Sequence, residues 1–529
     1  MRFRSLLIRR NYDVFRVSTD FVALVLLYAI VLHAWISPLA FMAMLSVYFG
    51  CSLLYQLYFH VFHKIYHLDP VFFHDFLMLK TAAQIFVHEF SIRNLVMLLT
   101  TIGIGVLSLL LIYQLSLSAE IVSFGPGSWI VIVLFTGGAL YSLRYPYQKY
   151  PFLTFQSQLQ SVIRNLSISR RSKKSVAALT LRYMKQFNVD PGIQLASKPN
   201  VYFIVIESYG RLALEEEIPG APDLQFMSAL HRRLDAHGWH VSSGYTRSPV
   251  TGGASWISYT SMLYGLNVRN QGVYTTMLKN KYMQDFDSLF HWLKRQGYLT
   301  FRVSSLGGYE KMEIPYDSYS RLYGIDHWIK YNDLEYTGAH YGFGPSPPDQ
   351  YAIWKGDELC SEIAADTPKA LFFITQNSHT PYESPDGVAE DWRRLNDGSY
   401  TVKKPSAFWS RPKFERYGQA IRYQLDALTD FIVSKQKADD IFILVGDHQP
   451  PSLSRAVDNF DTPMHVISRD QEFIQHWEAY GLVPGMLPDR QKPVMRQEAV
   501  HWAMLRALIS SRAVRYDALP HFLEEGIPY

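Results

Sequence analysis

The chain has 529 residues, 48% of them hydrophobic and 19% charged, with a formal net charge of +4. That length exceeds one ordinary core, so two or three domains are expected. So small a charge, with no basic stripe interleaved with aromatics, excludes a nucleic-acid partner. The two cysteines, Cys51 in a hydrophobic run and Cys360 in the polar half, predict no intramolecular disulfide.

In chain order, a basic N-terminus (Arg2, Arg4, Arg9, Arg10) precedes uncharged runs at 21–36, 39–59, 95–117 and 121–143. A membrane span takes roughly 20 apolar residues, so these runs predict transmembrane helices within residues 1–144. The stretch 71–90 contains Asp75, Lys80 and Glu89. Charge at membrane depth is costly, so this stretch is either a fifth span lining a polar interior or an interfacial helix. The first run merges into the second, as a cleaved signal peptide does not. The N-terminal arginines place that end in the cytoplasm. Five spans then put the rest of the chain outside and four leave it inside, and the cluster Arg170, Arg171, Lys173, Lys174 pulls toward four.

Residues 145–197 read as a juxtamembrane linker, helical in part over 175–187. From 198 to 529 short β-rich apolar runs (201–206, 240–242, 299–303, 371–374, 441–445) alternate with amphipathic helical stretches. This pattern predicts an α/β domain with a mainly parallel sheet covered by helices on both faces. In such sheets ligands bind at the carboxyl ends of the strands. Those ends carry Glu207-Ser208, then Thr375 to His379, then Gly446-Asp447-His448. Each alone reads as a cap, a turn or a surface histidine. Together they deliver carboxylates and imidazoles to one rim, a donor set for Mn²⁺, Zn²⁺ or Mg²⁺ rather than for a soft metal. A further element, Thr251-Gly252-Gly253-Ala254-Ser255, opens a helix that closes at Gly265. A hydroxyl at that helix start meets free N–H groups that favour phosphate, and a neighbouring metal makes its alkoxide accessible.

The order Ile206-Glu207-Ser208, Leu263-Tyr264-Gly265, Asn377-Ser378-His379-Thr380-Pro381-Tyr382 and Gly446-Asp447-His448-Gln449-Pro450 resembles the alkaline-phosphatase/sulfatase superfamily. The similar branch is that of membrane-bound phosphoglycerol and phosphoethanolamine transferases, including lipoteichoic-acid synthases. The resemblance spans roughly residues 198–510, and Pro70 with Asp75 resembles a pair in that branch's membrane part. It implies a bundle of about five transmembrane helices and an extracytoplasmic catalytic domain on a bacterial-type plasma membrane. Glu207, Asp447 and His448 fall on the family's metal ligands. Ser255 falls on the nucleophile, which also touches the metal, and His379 on the histidine that contacts the transferred phosphate. Lys311, Arg321 and His465 are further candidate substrate contacts. The branch commonly uses threonine as nucleophile, so Thr251 stands as the alternative, although Ser255 has the better interval to Gly265.

The implied reaction uses one divalent ion, Mn²⁺ first, with Zn²⁺, Mg²⁺ or Ca²⁺ as the alternatives. It moves a phospho-head group from a membrane phospholipid to an envelope glycan or lipid through a covalent serine or threonine ester. Alternatives are a phosphodiester or sulfate ester hydrolase of the same superfamily, and a non-catalytic membrane scaffold. The sulfatase maturation signal wants proline two and arginine four residues after the modified residue, where this chain has Ile257 and Tyr259.

Overall fold

In the computed structural model the described residues are 16–18, 35–66, 154–157, 159–170 and 189–527, with a few isolated positions before 108. Within the long stretch, 216–217, 280–285, 308–315, 398–411, 436–438, 455–458 and single positions 343, 345 and 452 are outside the description. The chain divides into two compact units, one of residues 1–64 and 69–173 and one of 65–68 and 174–529.

In the first unit, strands β1 (Arg16–Ser18) and β2 (Thr154–Gln156) pair in parallel. Helix α1 (Pro38–Tyr66) occupies the second expected span. Its Leu39, Met44, Val47 and Leu54 are exposed and fall, at 100° per residue, within a sector of about 140°. Among the described residues no helix is long and apolar enough to cross a membrane. The expected spans at 21–36, 71–90, 95–117 and 121–143, and the linker helix at 175–187, lie outside the described residues apart from isolated positions.

The second unit is built on a nine-stranded sheet. Its strands are β3 (Val201–Ile206), β4 (His240–Arg247), β5 (Leu299–Val303), β6 (His327–Ile329), β7 (Lys369–Ile374), β8 (Ile441–Gly446), β9 (Asp461–Ser468), β10 (Val483–Pro484) and β11 (Met495–Arg496). The spatial order is β10-β4-β9-β8-β3-β7-β5-β6, with β11 beside β4. Strands β8, β3, β7, β5 and β6 are parallel to their neighbours in that run, while β9 is antiparallel to both β8 and β4. All six residues of β3 are apolar and buried, as a strand covered on both faces requires. Two hydrophobic clusters account for this. One contains Phe203, Phe372 and Ile443, the other Tyr202, Leu371 and Phe442. These are alternate residues of neighbouring strands, so the clusters lie on opposite faces of the sheet.

Four helices matter for the site: α2 (Ser255–Tyr264), α3 (Tyr316–Tyr323), α4 (Asp349–Ala364) and α6 (Gln497–Arg512), with α5 (Lys413–Val433) leading into β8. Helix α2 ends at Gly265, whose φ of 64° suits glycine. A Cβ there would also lie 2.4 Å from Trp502 Nε1 of α6.

The register of the central strands places the chemistry. Ile206 of β3 is opposite Gly446 of β8, so the next residues, Glu207 and Asp447, leave adjacent parallel strands side by side. Immediately after, Ser208 takes a left-handed φ of 58°, and the backbone folds over the end of β8. A Cβ at Gly446 would sit 1.9 Å from the Tyr209 carbonyl oxygen, so only glycine admits this approach. Gly446→Ala is expected to destabilise this unit by about 3 kcal/mol, the scale of a severe backbone overlap in a packed interior. Chemical denaturation of the purified protein checks this, and a wild-type midpoint would contradict it.

Candidate active site

Glu207, Asp447 and His448 are buried, and each offers a ligand atom within 4.8 Å of the others. The second oxygen of Asp447 is 3.3 Å from His448 Nε2, and Glu207 Oε1 is 3.6 Å from it. Ser255, the first residue of α2, points its Oγ into the same group. It donates to Glu207 Oε2 at 3.0 Å and lies 3.1 Å from His448 Nε2. The residue before it, Ala254, holds φ 58°, a left-handed conformation that costs a non-glycine roughly 1–2 kcal/mol. Strained residues thus sit beside both Glu207 and Ser255, as is common at functional sites.

Each ligand side chain is held from behind. Asp447 Oδ1 accepts from the Ser208 and His448 amides, both at 2.8 Å. Its other oxygen, Oδ2, is buried without a hydrogen-bond partner among the described residues. His448 Nδ1 is 2.9 Å from the Gln449 carbonyl. A carbonyl only accepts, so Nδ1 carries the proton and Nε2 presents a lone pair. The Glu207 amide donates to Thr375 Oγ1 at 3.0 Å, and Ser208 Oγ donates to Glu207 Oε1 at 3.0 Å.

The donor set fits a divalent cation. Glu207, Asp447, His448 and Ser255 bring carboxylate oxygens, an imidazole nitrogen and a hydroxyl together. Burial, and then the neighbouring Asp447 charge, push the Glu207 carboxyl up to about 8. A pair of buried carboxylates this close is stable as a charged pair only when a cation lies between them.

The loop after β7 brings His379 into this region. Asp349, at the start of α4, accepts from the Gln376 and Asn377 amides at 2.7 and 2.8 Å and from Gln424 Nε2 at 2.6 Å. Asn377 Oδ1 in turn accepts from the Asp349 amide at 2.8 Å. Ser378 Oγ donates to the Glu207 carbonyl, which ties the loop to β3. His379 itself is half-buried, with Nδ1 2.8 Å from the Thr380 carbonyl.

The structure therefore brings together Glu207, Ser255, Asp447 and His448. Thr251 is buried, and its carbonyl accepts from the Gln449 amide at 3.0 Å. That bond ties the loop before α2 to the end of β8. Arg321 is exposed on α3 and donates to Ser318. Lys311 lies outside the described residues. His465 is placed apart from this group in the strand interior. It is fully buried in β9, with Nδ1 2.7 Å from Ser243 Oγ and Nε2 3.1 Å from Tyr209 OH. Burial lowers its pKa to about 3, and its two ring nitrogens are taken up by these contacts within the protein.

Sequence reasoning missed Gln497. Its side-chain amide donates to the Gly446 carbonyl at 2.8 Å, the Asp447 carbonyl at 3.2 Å and Thr462 Oγ1 at 3.1 Å. Its oxygen accepts from Ser258 Oγ at 2.7 Å. One buried side chain thus links the Ser255 helix to the strand end that carries Asp447. A lone glutamine in an amphipathic helix gives no signal in sequence.

The raised Glu207 pKa has a thermodynamic consequence. A carboxyl whose folded pKa lies above its unfolded value stabilises the fold at low pH, and that contribution fades as pH rises through the folded value. Chelator-treated protein is therefore expected to lose melting temperature between about pH 5 and pH 8, and added divalent metal to restore it mainly at the upper end. Thermal melts at several pH values with and without chelator check this. An equal metal effect at pH 5 and pH 8 would contradict it.

The family model described as Sulfatase matches residues 199–493. No curated protein matches the chain. Among solved structures, a protein in the alkaline phosphatase superfamily from Vibrio parahaemolyticus is 18% identical, covers 64% of this chain and 74% of its own, and has a TM-score of 0.39. The lipoteichoic acid synthase LtaP from Listeria monocytogenes is 14% identical, with coverages of 65% and 80% and a TM-score of 0.40. The phosphoglycerol transferase GacH from Streptococcus pyogenes, solved with sn-glycerol-1-phosphate, is 12% identical, with coverages of 65% and 81% and a TM-score of 0.38. Likeness at this level carries no argument about substrate.

Proposed function

Because the chain belongs to the sulfatase family, we propose that it is a metal-dependent phosphotransferase using Ser255 as nucleophile. It moves a phospho-head group, phosphoglycerol or phosphoethanolamine, from a membrane phospholipid to an envelope glycan or lipid. The observation that carries this reading is the approach of Ser255 Oγ to Glu207 and His448 at 3.0 and 3.1 Å. An N-terminal cap has no need of those contacts. A formylglycine sulfatase reading lacks support, since Ile257 and Tyr259 stand where maturation wants proline and arginine.

Glu207, Asp447, His448 and Ser255 Oγ would hold one divalent cation, Mn²⁺ first and Zn²⁺ next, which supplies charge stabilisation at the phosphoryl oxygens. The residues of the chain do the rest. Ser255 Oγ attacks phosphorus, the bond from phosphorus to the diacylglycerol oxygen breaks, and the serine proton leaves with diacylglycerol as its hydroxyl. An acceptor hydroxyl then attacks the phosphoserine, its proton returns to Oγ, and the head group departs as the new diester. The start of α2 turns free N–H groups toward the phosphoryl group. His379, on a loop braced by Asp349 and Ser378, contacts the transferred phosphate and offsets its developing charge.

A lipid donor calls for a membrane-held enzyme. The uncharged runs before residue 144 and the exposed stripe Leu39, Met44, Val47 and Leu54 of α1 support that placement. Five spans with the catalytic unit outside are proposed. A reporter fused after Gln194 that is active only in the cytoplasm would refute this topology.

Ser255→Ala is expected to reduce diacylglycerol release from phospholipid vesicles by roughly 10³-fold or more, the scale for losing one member of a catalytic unit. Thr251→Ala should be much milder. The reverse ranking would move the nucleophile to Thr251.

A further inference from the structure

Arg302 is the penultimate residue of β5, opposite Phe372 of β7 and Trp328 of β6. Its side chain lies in the interior: the residue is 9% exposed. The guanidinium is packed on three rings, with Cζ 4.5 Å from the centre of Phe372, 4.8 Å from Trp328 and 5.4 Å from Tyr259. Nε makes a long contact of 3.4 Å to Ser304 Oγ, which also accepts from Trp328 Nε1 at 2.9 Å. The Tyr259 hydroxyl also faces the guanidinium, but among the described residues Nη1 is buried with no hydrogen-bond partner and no carboxylate pairs with Arg302. An arginine cannot shed its proton to escape this. Aromatic faces offset only part of the cost of burying a cation.

The position of this charge is informative. Tyr259 is one helical turn beyond Ser255, on the same face of α2, about 6 Å along the axis. Arg302 lies over the ring of Tyr259, near the carboxyl end of its strand, on the sheet face that α2 covers. Around it the wall is aromatic, with Tyr316 and Tyr319 against Trp328. Among the described residues the other charges on this wall are Lys330, 4.5 Å from the Tyr316 ring, and exposed Arg321 and Asp317 on α3.

We infer that Arg302 determines head-group selectivity: a fixed cation beside the nucleophile helix accepts a head group with hydroxyls or negative charge and rejects one with an ammonium. The hydroxyls of a phosphoglycerol unit, or a second anionic group, would meet the unpartnered Nη1. The ammonium of phosphoethanolamine would be repelled in a site where water screens little. This rests on the phosphotransferase reading of the same site and narrows it to the glycerol class. Arg302 is placed here as a specificity residue, not as a participant in bond making.

The test is binding of two soluble phosphomonoesters, sn-glycerol 1-phosphate and O-phosphoethanolamine, to the full-length metal-loaded protein by calorimetry. Wild type is expected to bind the glycerol ester at least about tenfold more tightly. Arg302→Gln should bring the two affinities close together, and Arg302→Lys, which keeps a charge, should retain most of the preference. Equal or tighter binding of phosphoethanolamine by wild type, binding of neither ester, or an unchanged ratio in Arg302→Gln would overturn the inference. If Arg302→Gln does not fold, the wild-type ratio with the Arg302→Lys ratio decides it. A preserved glycerol preference without any turnover of phospholipid vesicles would sink the transferase reading while leaving the selectivity of the pocket standing.

Discussion

Two carboxylates, both buried, emerge side by side from adjacent parallel strands. The opposition of Ile206 and Gly446 makes this unavoidable, because the next residue on each strand is Glu207 or Asp447. Like charges in a low-dielectric setting repel strongly, and burial alone already penalises each. A fold that keeps both in place, with Asp447 Oδ2 lacking a protein donor, is arranged for a positive charge from outside the chain. The imidazole of His448 and the hydroxyl of Ser255 complete a set of oxygen and nitrogen donors, with no thiolate among them.

Much of the surrounding structure can be understood as support for that arrangement. Gly446 lets the chain after Glu207 cross the end of β8. Gln497 connects Gly446 and Asp447 with Ser258, so one side chain ties the end of β8 to α2. Asp349 and Asn377 exchange hydrogen bonds that fix the loop of His379, and Ser378 ties that loop to Glu207. Tyr417 of α5 donates to the Ser208 carbonyl at 2.8 Å and so steadies the strained turn. Fixed groups of this kind are what allow a phosphoryl group to be met without reorganisation.

The sequence revealed the residues whose signal is local. Runs such as 201–206 and 441–445 read as buried parallel strands because they are continuously apolar, and Glu207, Asp447 and His448 were legible as the residues just past their ends. Ser255 was legible from its place after two glycines and before a helix closed by Gly265. The residues that were not legible act across long sequence separations. Gln497 meets Asp447 from 50 positions away and Ser258 from 239, and no spacing rule joins them. Asp349 reads as an ordinary acidic residue in the first turn of a helix. The partners of His465 were hidden for the same reason: a histidine in an apolar strand gives no sign that it packs against Ser243 and Tyr209. Arg302 is one charged residue in a short apolar run, and only the fold shows that its guanidinium is surrounded by rings instead of solvent.

The central claim is that Glu207, Asp447, His448 and Ser255 form one cation site. The most direct measurement is the metal content of the purified full-length protein by elemental mass spectrometry, after equilibration with divalent ion and removal of the excess. The account predicts one tightly held ion per chain in wild type and its loss in Asp447→Asn. A protein that folds and retains no ion, or an Asp447→Asn variant that keeps one equivalent, would contradict it.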